Sequence, residues 1–238
     1  MTLYNKMTEP KPRRQRRTKA NIVAAIQQAA EDEILENGFT SSLVTGIIKR
    51  ARIEPQVFYN RYRDLDEFYD AYVKKYDYWL SELFKQVEAK LVSEEGLTQL
   101  LSEFVSKIAS DDMMREILRW EIAQKNATTL RTSALRELHA TPVTKGYTKE
   151  FEGTDVDIMC TMALIIGGVY YIALHQKLSP FYGIDLSNEE GRRRLKSVLN
   201  RIIRHIYAVR NEADEKAGIA RRLREHGVSE EIIAECVF

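Results

Sequence analysis

Four hydrogen-bonding side chains recur at helical spacing in the stretch 55–63, PQVFYNRYR. In a helix they would share one face, because residues three and four apart are neighbours there. These residues are Gln56, Tyr59, Asn60 and Arg63. Asn and Gln can bond adenine bidentately in the major groove of DNA, and Tyr and Arg can hold phosphates. The pattern predicts a DNA-binding surface, with an ordinary polar helix face as the alternative.

The opposite side of the same stretch is apolar. Phe58 and Tyr62 are four residues apart and would lie together on that side. We expect them to close a small core with apolar residues of two preceding helices, namely Ile22, Ile26 and Ile47.

The preceding helices complete a three-helix unit. The first is expected over 19–37, with Gly38 as its stop. The second follows Ser42, an N-cap candidate. Residues 52–54 then form a tight turn, and Pro55 occupies a first-turn position where proline is favoured. Short helices joined in this way predict a helix-turn-helix.

The positive charge is concentrated at the N-terminal end. Residues 1–63 hold 12 Lys and Arg against 6 Asp and Glu, whereas residues 64–238 hold 24 against 29. A basic segment favours polyanionic partners. Two prolines favour an extended arm over 1–18. The arm is predicted to bind DNA, with a solubilising tail as the alternative, and its densest cluster is Arg13, Arg14, Arg16 and Arg17.

The stretch 51–73, ARIEPQVFYNRYRDLDEFYDAYV, resembles the DNA-binding domain of TetR-family transcriptional regulators. That family's pattern reads approximately Ala-Gly-Val-Ser-x-x-Thr-Leu-Tyr-x-Tyr-Phe-x-x-Lys-x-x-Leu. The matching residues are Gly38, Ala51, Ile53, Phe58, Tyr59, Tyr62 and Phe68, and the match covers about 19–70. The resemblance implies base contacts from Gln56 and Asn60. It implies phosphate contacts from Ser42, Tyr59 and Arg63, and we add Thr45 to the DNA-facing set.

Three residues depart from the family pattern. Arg52 replaces the turn glycine, so the turn must suit a side chain or strain it. Leu65 replaces a lysine that commonly opens the fourth helix, which removes a phosphate contact. Glu54 replaces the N-cap serine, where an anion stabilises the helix end by about 0.3–1 kcal/mol. Glu54 could instead repel phosphate or accept from a cytosine amino group.

The remaining chain reads as helices without strands, so the predicted class is all-α. A long fourth helix, capped by Asp64 and Glu67, is expected to reach Leu91 as a rod of about 40 Å linking two domains. Residues 141–153, which contain Pro142, are expected to be a mobile loop. Further helices are expected near 96–110, 113–126, 130–140, 154–178, 188–210 (capped by Ser187 and Glu190), 214–225 and 229–236. The domain prediction is a basic arm over 1–18, a helix-turn-helix head over 19–64, a helical effector-binding and dimerisation domain over 65–212, and a helical extension over 213–238.

Residues 158–174 form an uncharged, apolar stretch. As a helix it would span roughly 25 Å, short of a bilayer core of about 30 Å, so we expect burial between other helices. Its excess apolar surface predicts a two-fold homodimer joined by a four-helix bundle. The dimer would supply the second DNA-binding head that a palindromic operator needs. The predicted interface residues are Ile158, Met162, Ile166, Gly167, Tyr170, Leu195, Val198, Ile202 and Ile206.

Large side chains recur in the middle helices, and each one alone could simply be core. TetR-like proteins hold an effector pocket in this region, so the resemblance implies an apolar pocket for a small hydrophobic or aromatic molecule. The predicted pocket residues are Tyr72, Tyr76, Trp79, Phe104, Met113, Met114, Ile117 and Trp120.

Other classes of function find little support. Four histidines form no catalytic motif, and two cysteines give neither a disulfide framework nor a metal site, which favours a non-enzyme without cofactor in the cytoplasm. The interpretation is a DNA-binding regulator, and the family resemblance implies a repressor that its effector releases from DNA. The alternatives are a helical interaction protein and a DNA-binding protein without sequence preference, both with a degenerate head.

Overall fold

The computed structural model describes residues 18–85, 90 and 92–237. Within these residues the chain is helical and contains no named strand, which confirms the all-α prediction. The helices are α1 Lys19–Asn37, α2 Val44–Ala51, α3 Pro55–Tyr59, α4 Leu65–Val73, α5 Trp79–Lys85, α6 Glu94–Ser110, α7 Asp112–Ala123, α8 Ala127–Glu150, α9 Ile158–His175, α10 Glu189–Glu225 and α11 Glu230–Val237. The arginines of the basic arm, Arg13, Arg14, Arg16 and Arg17, lie outside the described residues.

Helices α1 to α3 form the predicted three-helix head. Thr18 caps α1 by accepting a hydrogen bond from the Asn21 N–H at 3.2 Å. Gly38 ends the helix in a backbone conformation with φ 76°, which glycine adopts without a steric penalty. Ile26, Ile47 and Phe58 are fully buried together, as the sequence predicts.

The N-cap prediction for α2 is wrong. Leu43 occupies the cap position, and no side chain caps the helix. Ser42 is instead buried, and its hydroxyl lies 2.7 Å from the carbonyl oxygen of Gly38. Ser42 therefore secures the turn between α1 and α2.

The predicted continuous fourth helix is interrupted. Helix α4 ends at Val73 and is followed by a 3-10 turn over Lys74–Tyr76, before α5 begins at Trp79. Asp64 caps α4 as expected by accepting from the Glu67 N–H at 2.8 Å. The last part of the predicted rod, up to Leu91, falls largely outside the described residues.

Arg131 of α8 bridges this interruption. Its Nε lies 3.0 Å from Asp70 Oδ1 in α4, and its Nη1 lies 2.5 Å from Asp77 Oδ2 just before α5. A 3-10 segment inside a helical stretch often marks a hinge. Arg131 therefore holds α4 and the start of α5 in one arrangement. The contact comes from a third helix, so the sequence of α4 and α5 alone does not predict it.

The predicted loop over 141–153 is wrong for residues 141–150, because α8 continues through Pro142 to Glu150, and only residues 151–153 form a turn. The proline lacks an N–H and leaves one carbonyl of the preceding turn without its helical partner. Val143 and Tyr147 are buried against the core on the far side of the proline. The burial of these two side chains stabilises the helix by more than the proline destabilises it.

Helix α10 is much longer than predicted and absorbs the segment 214–225. Its cap is Asn188, whose side chain accepts from the Gly191 N–H at 2.8 Å, so the Ser187 prediction is wrong. Helix α11 packs back against α10 and buries Ile233, while Ala220 of α10 is also buried. The extension is thus tied to the same helix that packs on α6.

Two hydrophobic cores organise the described residues. One joins the head to α4 and α7, and Phe39 stacks on Trp120 with ring centroids 4.5 Å apart. The other joins α5, α6, α8, α9 and α10 with the opposite side of α7, which contributes Met114 and Leu118. The head therefore rests directly on α7 and is not linked to the remaining helices through α4 alone.

Candidate nucleic-acid interface and cavity

Helix α3 presents a polar surface beside α2. Thr45, Gln56, Tyr59 and Asn60 are all exposed, and the Tyr59 ring lies edge-on to Phe58 at 5.6 Å. Phe58 is buried, so the ring contact anchors the base of Tyr59 while 52% of the residue remains exposed. The two amides and the phenol are available to a partner.

Helix α3 is shorter than the sequence predicts. It ends at Tyr59, and Asn60 is the C-cap residue, whose N–H donates to the Gln56 carbonyl at 3.0 Å. The Tyr62 N–H still donates to the Phe58 carbonyl at 3.1 Å, so one helical hydrogen bond persists past the end. Gln56, Tyr59 and Asn60 consequently keep their helical spacing.

Arg63 lies beyond the helix, so the prediction that it shares a helical face is wrong. It is exposed, and its Nε donates to Asp64 Oδ2 at 2.8 Å. This hydrogen bond raises the pKa of Arg63. A phosphate at this position would have to compete with the Asp64 carboxylate.

Ser42, a predicted phosphate contact, is 4% exposed. Its hydroxyl faces the carbonyl oxygens of Glu33 and Gly38. The structure contradicts a direct phosphate contact, because the side chain lies inside the head.

The turn between α2 and α3 contains a left-handed residue. Arg52 has φ 52° and ψ 52°, where an L side chain is strained, and the TetR-family pattern that this stretch resembles has glycine at this position. Glu54 occupies the N-cap position of α3 but makes no side-chain capping hydrogen bond. Lys49 and Arg52 are exposed and form no ion pair with any residue that the structure describes. Neither residue is in the predicted DNA-facing set, although Lys49 lies in the last turn of α2 and Arg52 lies in the turn before α3.

A charged cluster holds α1 against α2. Arg50 Nε lies 2.6 Å from Glu33 Oε2, and Arg50 also pairs with Glu36, which together raise the pKa of Arg50. Glu33 is 6% exposed and accepts from the Asn37 side chain at 3.1 Å. Gly46 permits this arrangement, because a Cβ there would overlap the Glu33 carboxylate. Arg50 therefore stabilises the packing of α2 against α1.

The head itself is close to neutral. Residues 18–63 hold 6 Lys and Arg against 5 Asp and Glu, whereas residues 1–17 hold 6 against 1. Sequence-independent attraction to phosphates depends on such excess positive charge. The excess positive charge of the N-terminal part of the sequence thus lies in residues 1–17 and not in the head.

A cavity of about 270 Å³ lies among α5, α6, α8 and α9. Its apolar walls include Leu83, Leu101 and Ile166. Arg136 also lines it, paired with Glu121, whose other oxygen accepts from the Thr132 hydroxyl at 2.6 Å. Burial raises the pKa of Tyr170, another lining residue. The cavity is mainly apolar, with a few polar groups in its wall.

Only one residue of the predicted pocket, Phe104, lines this cavity. Tyr72, Met113, Ile117 and Trp120 lie in the core shared by the head and α7, which contradicts their placement in the pocket. Trp79 and Met114 belong to the second core, and Tyr76 packs against both cores. The predicted pocket residues other than Phe104 therefore fill space in or against the two cores and do not line the cavity.

The surface of α9 is unusual for a core helix. It is long and apolar enough to cross a membrane by length and composition, yet 17% of it is buried in the chain. The other helices of the same chain therefore supply only a small part of the burial predicted for this helix. Leu164 and Tyr171 are 74% and 53% exposed, and neither is among the predicted interface residues.

The predicted interface residues fall into three groups. Ile158 and Ile206 are buried within the single chain, so they are unavailable to a partner and their placement is wrong. Others pack partly against the core of the same chain, namely Met162, Ile166, Tyr170 and Leu195. The exposed members are Gly167, Val198 and Ile202.

Solved structures share this architecture. The chain is similar to the transcriptional regulator FadR from Bacillus subtilis in complex with stearoyl-CoA, with a TM-score of 0.55 and 17% identity, over 74% of this chain and 97% of that one. It is also similar to a Mesorhizobium loti protein assigned to the TetR family of transcriptional regulators, with a TM-score of 0.55 and 15% identity, over 81% of this chain and 98% of that one. No protein-family model and no curated protein sequence matches it. The chain has the all-α fold of these regulators, in agreement with the resemblance of residues 19–70.

Proposed function

We propose that the protein is a TetR-type transcriptional regulator that binds double-stranded operator DNA through α3. The observation that carries this proposal is the exposed trio Gln56, Tyr59 and Asn60 on the second helix of a helix-turn-helix. The two amides can bond bases bidentately, and Tyr59 can reach a phosphate. Phe58 is buried directly beneath them, so the reading surface is fixed to the core of the head.

The regulator is proposed to act as a homodimer joined through α9 and α10. Both helices carry exposed apolar residues, namely Leu164 and Tyr171 on α9 and Val198 and Ile202 on α10. Large exposed apolar surface is typical of association sites. A two-fold dimer presents two heads about 34–36 Å apart, which suits half-sites in adjacent major grooves.

The cavity is proposed to hold an apolar effector whose binding releases DNA, so the protein acts as a repressor. Helix α8 lines the cavity at Arg136 and also carries Arg131, which holds α4 and α5 together. A ligand that moves α8 would therefore change the tilt of α4 and the spacing of the two heads. Release requires tighter ligand binding by the DNA-free form, typically by about 1–3 kcal/mol.

Selection from a pool of random duplexes tests the DNA proposal. The wild-type chain should enrich an inverted repeat, and this repeat should retard the protein in a gel far more than a scrambled duplex does. Enrichment of no sequence, with a shift that depends on salt alone, would favour the alternative of binding without sequence preference. The observation favouring that alternative is the concentration of positive charge in residues 1–17.

Light scattering at micromolar concentration tests the dimer. Leu164→Glu and Ile202→Glu place charges on the exposed face without entering the core of the chain. Both variants should run as monomers and lose operator binding while keeping their helical content. A monomeric wild-type chain, or a variant of either kind that stays dimeric, contradicts this part of the proposal.

A further inference from the structure

Two cavities that differ in polarity adjoin each other along α8. The apolar cavity of about 270 Å³ shares Thr144 and Met159 with an outer groove of about 610 Å³. The groove has a mixed lining, in which Lys145, Thr148 and Lys149 stand beside apolar residues such as Phe151 and Val156. A ligand that is apolar at one end and polar at the other would suit the two cavities together.

The inner cavity favours an uncharged, apolar group. Its one cation, Arg136, is paired with Glu121, so its charge is already neutralised within the wall. Glu137 also lines the cavity but is exposed to solvent. Phe104 and Ile166 complete an apolar lining. Its volume lies just below the range of about 300–1,000 Å³ for ligand pockets, which suits a single chain better than a multi-ring molecule.

The outer groove favours an anion. Lys145 and Lys149 are one helical turn apart on α8, both are exposed, and neither forms an ion pair with a residue that the structure describes. Two carboxylates also line the groove, Glu152 and Asp157. Asp157 caps α9 by accepting from the Cys160 N–H at 2.9 Å, and the positive end of that helix offsets its charge. Two free ammonium groups therefore face one free carboxylate.

We propose that this joined site binds an amphiphile, with its aliphatic chain in the inner cavity and a phosphate-bearing headgroup on Lys145 and Lys149. The proposal rests on the proposed function, because it names the chemical class of the effector. Thr144 and Met159 lie at the junction, where the chain meets the headgroup. A phosphate carries more negative charge than a carboxylate and so competes better against Glu152 for the two lysines.

Calorimetric titration of the DNA-free protein tests the site, with dodecyl phosphate, dodecanoyl-CoA and dodecanol as probes. Both phosphate-bearing probes should bind more tightly than the uncharged alcohol. Shortening the acyl-CoA chain should weaken binding by about fourfold per methylene, as expected for burial of each group. Equal affinity for dodecyl phosphate and dodecanoyl-CoA would show that phosphate suffices, and tighter binding of the CoA ester would show that its nucleotide contributes.

Paired substitutions locate the headgroup and the chain. The double variant Lys145→Gln, Lys149→Gln should weaken both phosphate-bearing probes by about 2- to 30-fold, the range of two exposed charge pairs, and leave dodecanol unchanged. Lys125→Gln removes an exposed lysine outside both cavities and should change nothing. Ala140→Phe fills the inner cavity and should weaken all three probes, with retained operator binding as the check that the protein is folded.

Three results would overturn the proposal: no binding of either phosphate-bearing probe, dodecanol binding as tightly as they do, or equal losses for all probes in the lysine variant. Operator binding is measured separately. A protein that selects an operator but fails these titrations would retain its proposed function and lose only this assignment.

Discussion

Arg52 offers a test in which stability and DNA binding change in opposite directions. Its backbone lies in the left-handed region at φ 52°, which costs a non-glycine residue about 1–2 kcal/mol. Glycine relieves that strain but gains about 0.4–1 kcal/mol of conformational freedom in the unfolded chain. Arg52→Gly should therefore stabilise the protein by about 0.5–1 kcal/mol, or a rise of about 1–4 °C in melting temperature for a chain of this size.

DNA binding should respond to the same change with the opposite sign. Arg52 is exposed and free of ion pairs within the described residues, so it is placed to contact a phosphate. Losing one such contact weakens binding to all sequences and lowers the slope of log affinity against log salt by about 0.9. Arg52→Ala is the matched control, because it removes the charge and keeps the strained backbone.

Thermal melting and salt-dependent DNA titrations on the three proteins give the answer. The glycine variant should be more stable than the alanine variant, and both should lose the same DNA affinity. A glycine variant less stable than wild type would refute the strained turn. Unchanged salt slopes in both variants would refute the phosphate contact.

Two further substitutions probe the packing of the head and its link to the cavity. Gly46→Ala should destabilise the protein by up to about 2 kcal/mol in urea unfolding. The new methyl group overlaps the Glu33 carboxylate, which Arg50 and Asn37 hold in place, at a cost of about 1–3 kcal/mol, and alanine recovers about 1 kcal/mol of helix propensity. Gly218→Ala has open space around it in α10 and should stabilise the protein, and equal effects of the two substitutions would contradict the close approach. Arg131→Ala removes hydrogen bonds to two carboxylates, each worth about 1.5–3 kcal/mol in typical cases, and should lower the melting temperature. In the same variant the effector should bind with unchanged affinity but release less DNA, and full release would show that this arginine does not transmit the signal.

The head could be predicted from the sequence because its signals are local. The four-residue spacing of Phe58 and Tyr62, the stop at Gly38 and the proline at position 55 each determine a nearby piece of backbone. The buried ring of Phe58 and the positive φ of Gly38 confirm two of them. The chain past Tyr59 was less predictable, since a helix end shifts by a few residues without a strong stop signal.

The remaining errors arise where distant contacts override local preference. The interruption between α4 and α5 is held by Arg131, more than fifty residues further along the chain. Pro142 and Gly146 favour a loop locally, yet the burial of Val143 and Tyr147 keeps the segment helical. The cavity was misplaced for a related reason: a large apolar side chain looks the same in a sequence whether it fills a core or lines a hole.

The central claim, that α3 recognises a DNA sequence, is tested most directly by the affinity of the protein for its selected operator relative to a scrambled duplex at one salt concentration. For the wild type we expect a ratio of about 10³–10⁷, the usual range for specific regulators. Asn60→Ala should lose about 1–3 kcal/mol on the operator and relax preference at one base pair, because it removes one bidentate contact. Its affinity for the scrambled duplex should stay the same. Equal losses on both duplexes, or a wild-type ratio near one, would contradict sequence recognition by this helix.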